Sequence, residues 1–154
     1  MAFVSCGAKS RLLEVEPMLK SVILSHHREE STRDDSPRLH FIGFTDSLGD
    51  ELTAMLTRWR LNLNATYTFE IRPPTYPQST STRDGSTPGN SLRNAFAPCA
   101  SLRLFFPDLI TDIDKLIYLD NDILLVNEIS ALWKQFDYMN EDQIAGLALE
   151  NRDD

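Results

Sequence analysis

The sequence predicts an α/β protein with a mostly parallel sheet and helices on both faces. Two features lead there. Short apolar runs of strand length recur along the chain, stopped by glycine or polar residues, and the segments between them repeat apolar residues at helical spacing. The resulting order of strand, helix, strand, helix, strand, helix, strand belongs to sheets whose helices pack on both sides. In such sheets ligands bind beyond the carboxyl ends of the strands.

Met1 to Cys6 (MAFVSC) is short, apolar and ended by Gly7, which fits a buried first strand. Leu12, Val15, Leu19, Val22 and Ile23 then repeat at helical spacing, predicting a helix near residues 14–26. Pro17 has no amide to donate, so it must lie in the first turn or bend that helix. The polar stretch Arg28 to Pro37 ends it, and Leu39 to Phe44 (LHFIGF) gives a second strand. Leu48, Leu52, Met55, Leu56 and Trp59 form a clean helical stripe, with Asp46 or Ser47 expected as its cap and Asp50 and Glu51 at the positive end of the helix dipole. Ala65 to Ile71 alternates Tyr67, Phe69 and Ile71 as a third strand. Pro73 to Asn90 is rich in Pro, Ser, Thr and Gly and reads as a mobile loop. Helical spacing resumes over Leu92 to Phe106, where Pro98 is expected to open a second helix. Leu116 to Leu119 reads as a fourth strand, Ile129, Leu132, Trp133 and Phe136 as a short helix, and Ile144 to Leu149 as a fifth strand. Because the chain stops directly after that run, a longer parent protein and a sheet incomplete at the C-terminus are expected, with residues 1–154 forming the N-terminal part of one domain.

Bulk composition narrows the function. The 154 residues suit about one domain, and 42% hydrophobic residues can cover one sheet with helices. With 15 Lys and Arg against 23 Asp and Glu, the net charge of -8 opposes a polyanion, and no basic cluster overrides it, so nucleic acid is not an expected partner. Cys6 and Cys99 sit in no C-x-x-C spacing, which suggests neither a redox motif nor a zinc site. Buried thiols are the default expectation for them, with one bridge left open by the sequence. No run reaches the ~18 to 20 apolar residues of a transmembrane helix, and no basic segment precedes a long apolar one, so the chain reads as soluble.

Chemistry concentrates at Asp120-Asn121-Asp122, which follows the apolar run LIYL and so lies at a strand end. Two ionised carboxylates this close repel, and a hard divalent cation such as Mn2+ or Mg2+ relieves the repulsion by taking oxygens from both. Such an ion neutralises a diphosphate and makes a nucleoside diphosphate a better leaving group. The bland reading is a turn or a helix cap. An EF-hand is excluded by Ile123, Leu124 and Leu125, which occupy positions where that loop needs ligands or glycine. A phosphohydrolase of the haloacid dehalogenase type, with Asp120 as nucleophile and Asp122 as general acid, is the main chemical rival. It usually opens its domain with that strand, whereas here about three strand-helix units come first. A non-catalytic binding module is the third possibility.

VSCG at Val4 to Gly7, MLKS at Met18 to Ser21, PCASLRLFFP at Pro98 to Pro107 and DKLIYLDNDILL at Asp114 to Leu125, followed by Ile129 and Leu132-Trp133, occur in the order found in family 8 glycosyltransferases. The chain resembles that family, and within it the glucoside xylosyltransferases, over nearly its whole length; the stretches Arg28 to Pro37 and Pro73 to Asn90 match weakly. The resemblance implies a GT-A, Rossmann-like fold, a UDP-sugar donor, Mn2+ or Mg2+, and transfer with retention of configuration to a glycan or glycoprotein acceptor. The closer likeness implies UDP-xylose given to glucose. It places Asp120 and Asp122 on the metal and diphosphate, Asn121 near the ribose, and Cys6 and Gly7 beside the uridine, where a residue without a side chain lets the backbone approach. Arg103 would reach the donor diphosphate or sugar. Without the resemblance, Arg103 reads as a helix-surface ion pair, Cys6 as a core thiol and Lys115 as a solvated strand-start residue.

The family's third metal ligand is a histidine in a later H-G motif, and none of the three histidines here fits it. His26 and His27 end the first helix and His40 lies in the second strand, so structural or surface roles are expected. The acceptor-binding half is also absent, which predicts weak binding of metal and donor and poor transfer. The resemblance implies work in the Golgi or endoplasmic reticulum lumen behind an anchor that this chain lacks. Asn64-Ala65-Thr66 is a glycosylation sequon near a strand start.

Overall fold

The structure, a computed structural model, describes residues 1–30, 38–76 and 99–148. Three strands, β1 (Ala2–Val4), β2 (His40–Phe44) and β3 (Thr68–Arg72), pair in that order and all in parallel. They are linked by α1 (Leu12–Glu30), which follows a 3-10 turn at Lys9–Arg11, and by α2 (Gly49–Leu63). Beyond residue 98 come a 3-10 helix at Ala100–Phe105, α3 (Phe106–Leu109), α4 (Ile129–Trp133) and a further 3-10 turn at Lys134–Tyr138.

The period-two pleat of the strands splits their side chains into two cores. Phe3, Phe41 and Tyr67 face Val15, Leu19, Val22 and Ile23 of α1 and Leu52, Leu56 and Trp59 of α2. Ala2, Ile42 and Phe44 face the other way, onto Leu102, Phe106 and Ile110. Each face is thus covered by helical segments, as predicted for parallel strands buried on both sides. Within the register Phe3, Gly43 and Ile71 lie side by side across the sheet. A Cβ on Gly43 would come within 2.6 Å of Phe3 Cζ and 2.8 Å of Ile71 Cδ1, so the glycine makes room for the buried Phe3 ring over the central strand.

Several elements depart from the sequence reading. The first helix runs past Pro17 and holds it in its interior, with Glu29 and Glu30 as its last residues. Neither Asp46 nor Ser47 caps α2: Thr45 Oγ1 accepts the Leu48 N–H at 3.1 Å, while Asp46 and Ser47 turn back to Gly7. Asn64 of the sequon sits in the left-handed region at the end of α2, with φ 48°. The fourth strand is reduced to one parallel bridge between Ala2 and Tyr118, on the free side of β1. The described part of the expected helix over Leu92 to Phe106 is 3-10 from Ala100 before α3 begins at Phe106; residues 92–98 lie outside the described residues. The same holds for most of the Pro73 to Asn90 loop and for the stretch 31–37. Residues 144–148 form no strand, and Ile144 and Leu147 are 98% and 93% exposed. Among the described residues no neighbouring strand offers them a ladder, and apolar content without a partner does not make a strand.

Candidate functional site

Because the paired strands are parallel, their carboxyl ends meet at one edge, formed by Ser5 to Gly7, Thr45 to Ser47 and the turn at residues 120–122. The last of these is brought to β1 by two backbone bonds: Ala2 N–H donates to Ile117 O at 2.8 Å, and Leu119 N–H donates to Ala2 O at 3.1 Å. Beyond the bridge, Asn121 Nδ2 donates to Val4 O at 2.8 Å and fastens the turn to the end of β1. The site therefore lies where the chain order along the sheet reverses, between β1 and the 117–119 segment, the usual crevice for ligands in an open parallel sheet.

Alternation decides what each residue of that segment meets. Leu119 packs into the core under α1. Tyr118 points to the opposite face, its ring 5.6 Å from Phe106, and Asp120, two residues on, shares that face. The 3-10 helix at Ala100–Phe105 covers the same face and delivers Arg103. Asp120 Oδ1 accepts from the Tyr118 hydroxyl at 2.6 Å and from Arg103 Nη1 at 3.0 Å, while the guanidinium carbon lies 5.6 Å from the Tyr118 ring centre. Burial first, and the Asp120 carboxylate second, push the Tyr118 hydroxyl up to about 12, so it stays a donor at neutral pH. Arg103 and Asp120 are both about half exposed, 46% and 54% by side chain, and Asp122 is exposed.

Cys6 and Gly7 stand at the end of β1 with Asp46 and Ser47 beside them. Gly7 has φ 105°, a conformation glycine adopts freely, and nothing lies within 4 Å of where a Cβ would be. Its N–H donates to Asp46 Oδ1 at 2.9 Å, and its carbonyl accepts from Ser47 Oγ at 2.8 Å. The Gly7 amide holds the Asp46 carboxyl below the usual aspartate range. Cys6 is bonded to Cys99 in a disulfide, which corrects the expectation of buried free thiols. The reason is backbone placement: Cys99, in the left-handed region at φ 65°, starts the 3-10 helix directly above the end of β1. The two sulfurs and an Asp46 oxygen lie within 4.8 Å of one another, but sulfurs bonded to each other offer no thiolate to a metal.

Asp120 and Asp122, by contrast, fit a hard divalent cation: both are exposed oxygen donors in one short turn, and both hydrogen bonds to Asp120 fall on a single oxygen. Two buried polar atoms nearby, Ser5 Oγ and Asn121 Oδ1, have no hydrogen-bond partner among the described residues. Unpaired polar atoms at a strand-end crevice suit a polar ligand. Sequence reasoning missed Tyr118 and Ser5; the signal for Tyr118 was its place two residues before Asp120 on the same strand face. It also took Asp46 for a helix cap. Two of the histidines serve structure, since His40 bonds Thr68 and Glu70 and His26 is buried in α1, while His27 lies exposed on the surface of that helix. A cavity of about 150 Å3 lined by Met1, Leu39, Lys115, Ile117 and Trp133 opens at the opposite, amino edge of the sheet, away from Asp120.

The family model for glycosyl transferase family 8 matches residues 3–148. Among curated proteins, glucoside xylosyltransferase 2 of Mus musculus is 32% identical over 154 residues, covering 98% of this chain and 30% of its own length. Glucoside xylosyltransferase 2 of Xenopus laevis is 30% identical over 98% of the chain and 31% of its own length, and glucoside xylosyltransferase 1 of Homo sapiens is 29% identical over 99% and 30%. The chain spans about a third of the length of these relatives. No solved structure gives a significant match. A model match over almost the entire chain means that it belongs to glycosyl transferase family 8.

Proposed function

We propose that this chain is the nucleotide-sugar-binding part of a metal-dependent glycosyltransferase domain that moves a sugar from a UDP-sugar to a glycan or glycoprotein acceptor with retention of configuration. The observation that carries the proposal is the juxtaposition of Asp120, Asp122 and Arg103 at the carboxyl edge of a parallel sheet. Asp120 and Asp122 hold Mn2+ or Mg2+, which when bound neutralises the diphosphate and stabilises the charge that develops as it leaves. Arg103 gives hydrogen bonds to phosphate oxygens, for which a planar guanidinium is suited. Cys6 and Gly7, at the end of β1, lie beside the uridine and Asn121 near the ribose. The names of its relatives point to xylose as the sugar and a glucoside as the acceptor. The Cys6–Cys99 disulfide supports an oxidising compartment such as the Golgi or endoplasmic reticulum lumen. Among the described residues no helix is long and apolar enough to cross a membrane.

A haloacid-dehalogenase-type phosphohydrolase usually carries its nucleophilic Asp on the first strand of its domain, whereas here β1, β2 and β3 all precede Asp120. Calorimetry separates the readings. UDP binds in the presence of Mn2+ and loses its binding heat in EDTA, while a generic phosphate ester with Mg2+ is left intact. UDP binding that is indifferent to EDTA, or steady release of phosphate, contradicts the proposal; neither binding nor hydrolysis by a folded chain leaves a non-catalytic fragment.

A further inference from the structure

Resting on the donor-binding reading above, we infer that Arg103 is a built-in counter-ion of Asp120, so that a divalent cation and the guanidinium compete for this carboxylate and cation binding hands Arg103 over to the diphosphate. Three features of the site carry this. Arg103 donates to Asp120 through one nitrogen, Nη1 to Oδ1 at 3.0 Å, in a pair whose two side chains are both about half exposed. A single, solvent-reached link of this kind breaks readily. The guanidinium also rests on the Tyr118 ring at 5.6 Å, which gives it a seat that does not depend on the carboxylate. Finally, the Tyr118 hydroxyl donates to the same Oδ1 at 2.6 Å, so Asp120 keeps its orientation after Arg103 leaves.

The consequence is a coupling with opposite signs. Two cations at one carboxylate repel each other, so Arg103 weakens binding of the bare ion. Once the ion is in place, the displaced guanidinium is free to pair with phosphate oxygens and strengthens binding of the nucleotide. Ion and diphosphate then each raise the affinity for the other, as linkage requires. An Arg103 that merely braced the turn would, when removed, weaken both.

The test follows Mn2+ alone by the electron paramagnetic resonance of the free ion, and UDP by calorimetry at saturating Mn2+. Arg103→Ala is expected to bind Mn2+ roughly two- to fivefold tighter than the unsubstituted chain, the scale of an exposed ion pair. It is expected to bind UDP about tenfold or more weakly, the scale of a lost charged hydrogen bond. Arg103→Gln, which keeps the length and apolar stem of the side chain, shows the same two directions and covers the case in which Arg103→Ala melts early. Mn2+ affinity that is unchanged or weaker in both variants overturns the inference. If the unsubstituted chain binds Mn2+ and Asp122→Asn does not, the metal reading stands whichever way Arg103 turns out. If the unsubstituted chain binds no Mn2+, the donor-binding reading fails and takes this inference with it.

Discussion

Gly43 lies at the centre of the sheet with the Phe3 ring and Ile71 pressed over it, and a single methyl group there would enter space those side chains already fill. Phe3 is fully buried and cannot swing out to solvent, so Gly43→Ala is expected to destabilise the chain by about 1–3 kcal/mol, read as a lower midpoint in urea. Asp46 gives a different kind of prediction. The Gly7 amide favours its ionised form and depresses its folded pKa. The stability it contributes is therefore present above the unfolded value of about 3.9 and is lost as pH falls through the lower, folded value. The melting-temperature gap between the unsubstituted chain and Asp46→Asn should hold near neutral pH and close in acid below about pH 4. A gap that persists unchanged in acid would mean that the Gly7 contact does not depend on charge. Neither role was legible in the sequence. Gly43 looked like one small residue in LHFIGF, and Asp46 looked like a cap, because nothing local tells which of two nearby amides a carboxylate will accept.

At the scale of elements, the most consequential tie is the Cys6–Cys99 disulfide, which joins residues 93 apart and fixes the 3-10 helix bearing Arg103 to the end of β1. Breaking it with a thiol reductant, or by Cys6→Ser with Cys99→Ser, should cost about 2–5 kcal/mol and lower the melting temperature. It should also weaken UDP binding, because Arg103 loses its fixed approach to Asp120. Equal melting curves with and without reductant would show that packing of Leu102 and Phe106 alone holds that face. The helix α2 was readable from Leu52, Met55, Leu56 and Trp59, since a stripe facing one layer has one explanation. The bridge was not, because two cysteines 93 residues apart carry no spacing signal. The run from Ile144 misled for the opposite reason: apolar content was there, but strand formation needs a partner edge that composition does not reveal.

For the molecule as a whole, parallel pairing gathers every strand's carboxyl end at one edge, and the reversal between β1 and the 117–119 segment opens the crevice there. The parallel pairing followed from the order of apolar runs, and so did the placement of Asp120 and Asp122 at a strand end; the strand order, and with it the reversal, did not. What the sequence left out was the set of contacts across the face: Tyr118 and Arg103 on one oxygen of Asp120, and Asn121 on the Val4 carbonyl. These depend on which layer covers which side of the sheet, which is a property of packing. The central claim is that the carboxylate pair holds the cation that holds the nucleotide. Its most direct test is calorimetric titration of UDP, at saturating Mn2+, into the unsubstituted chain and into Asp120→Asn with Asp122→Asn, with matched melting curves to show that both are folded. The account predicts binding to the first and its loss in the second; equal UDP affinity in the two proteins would contradict it.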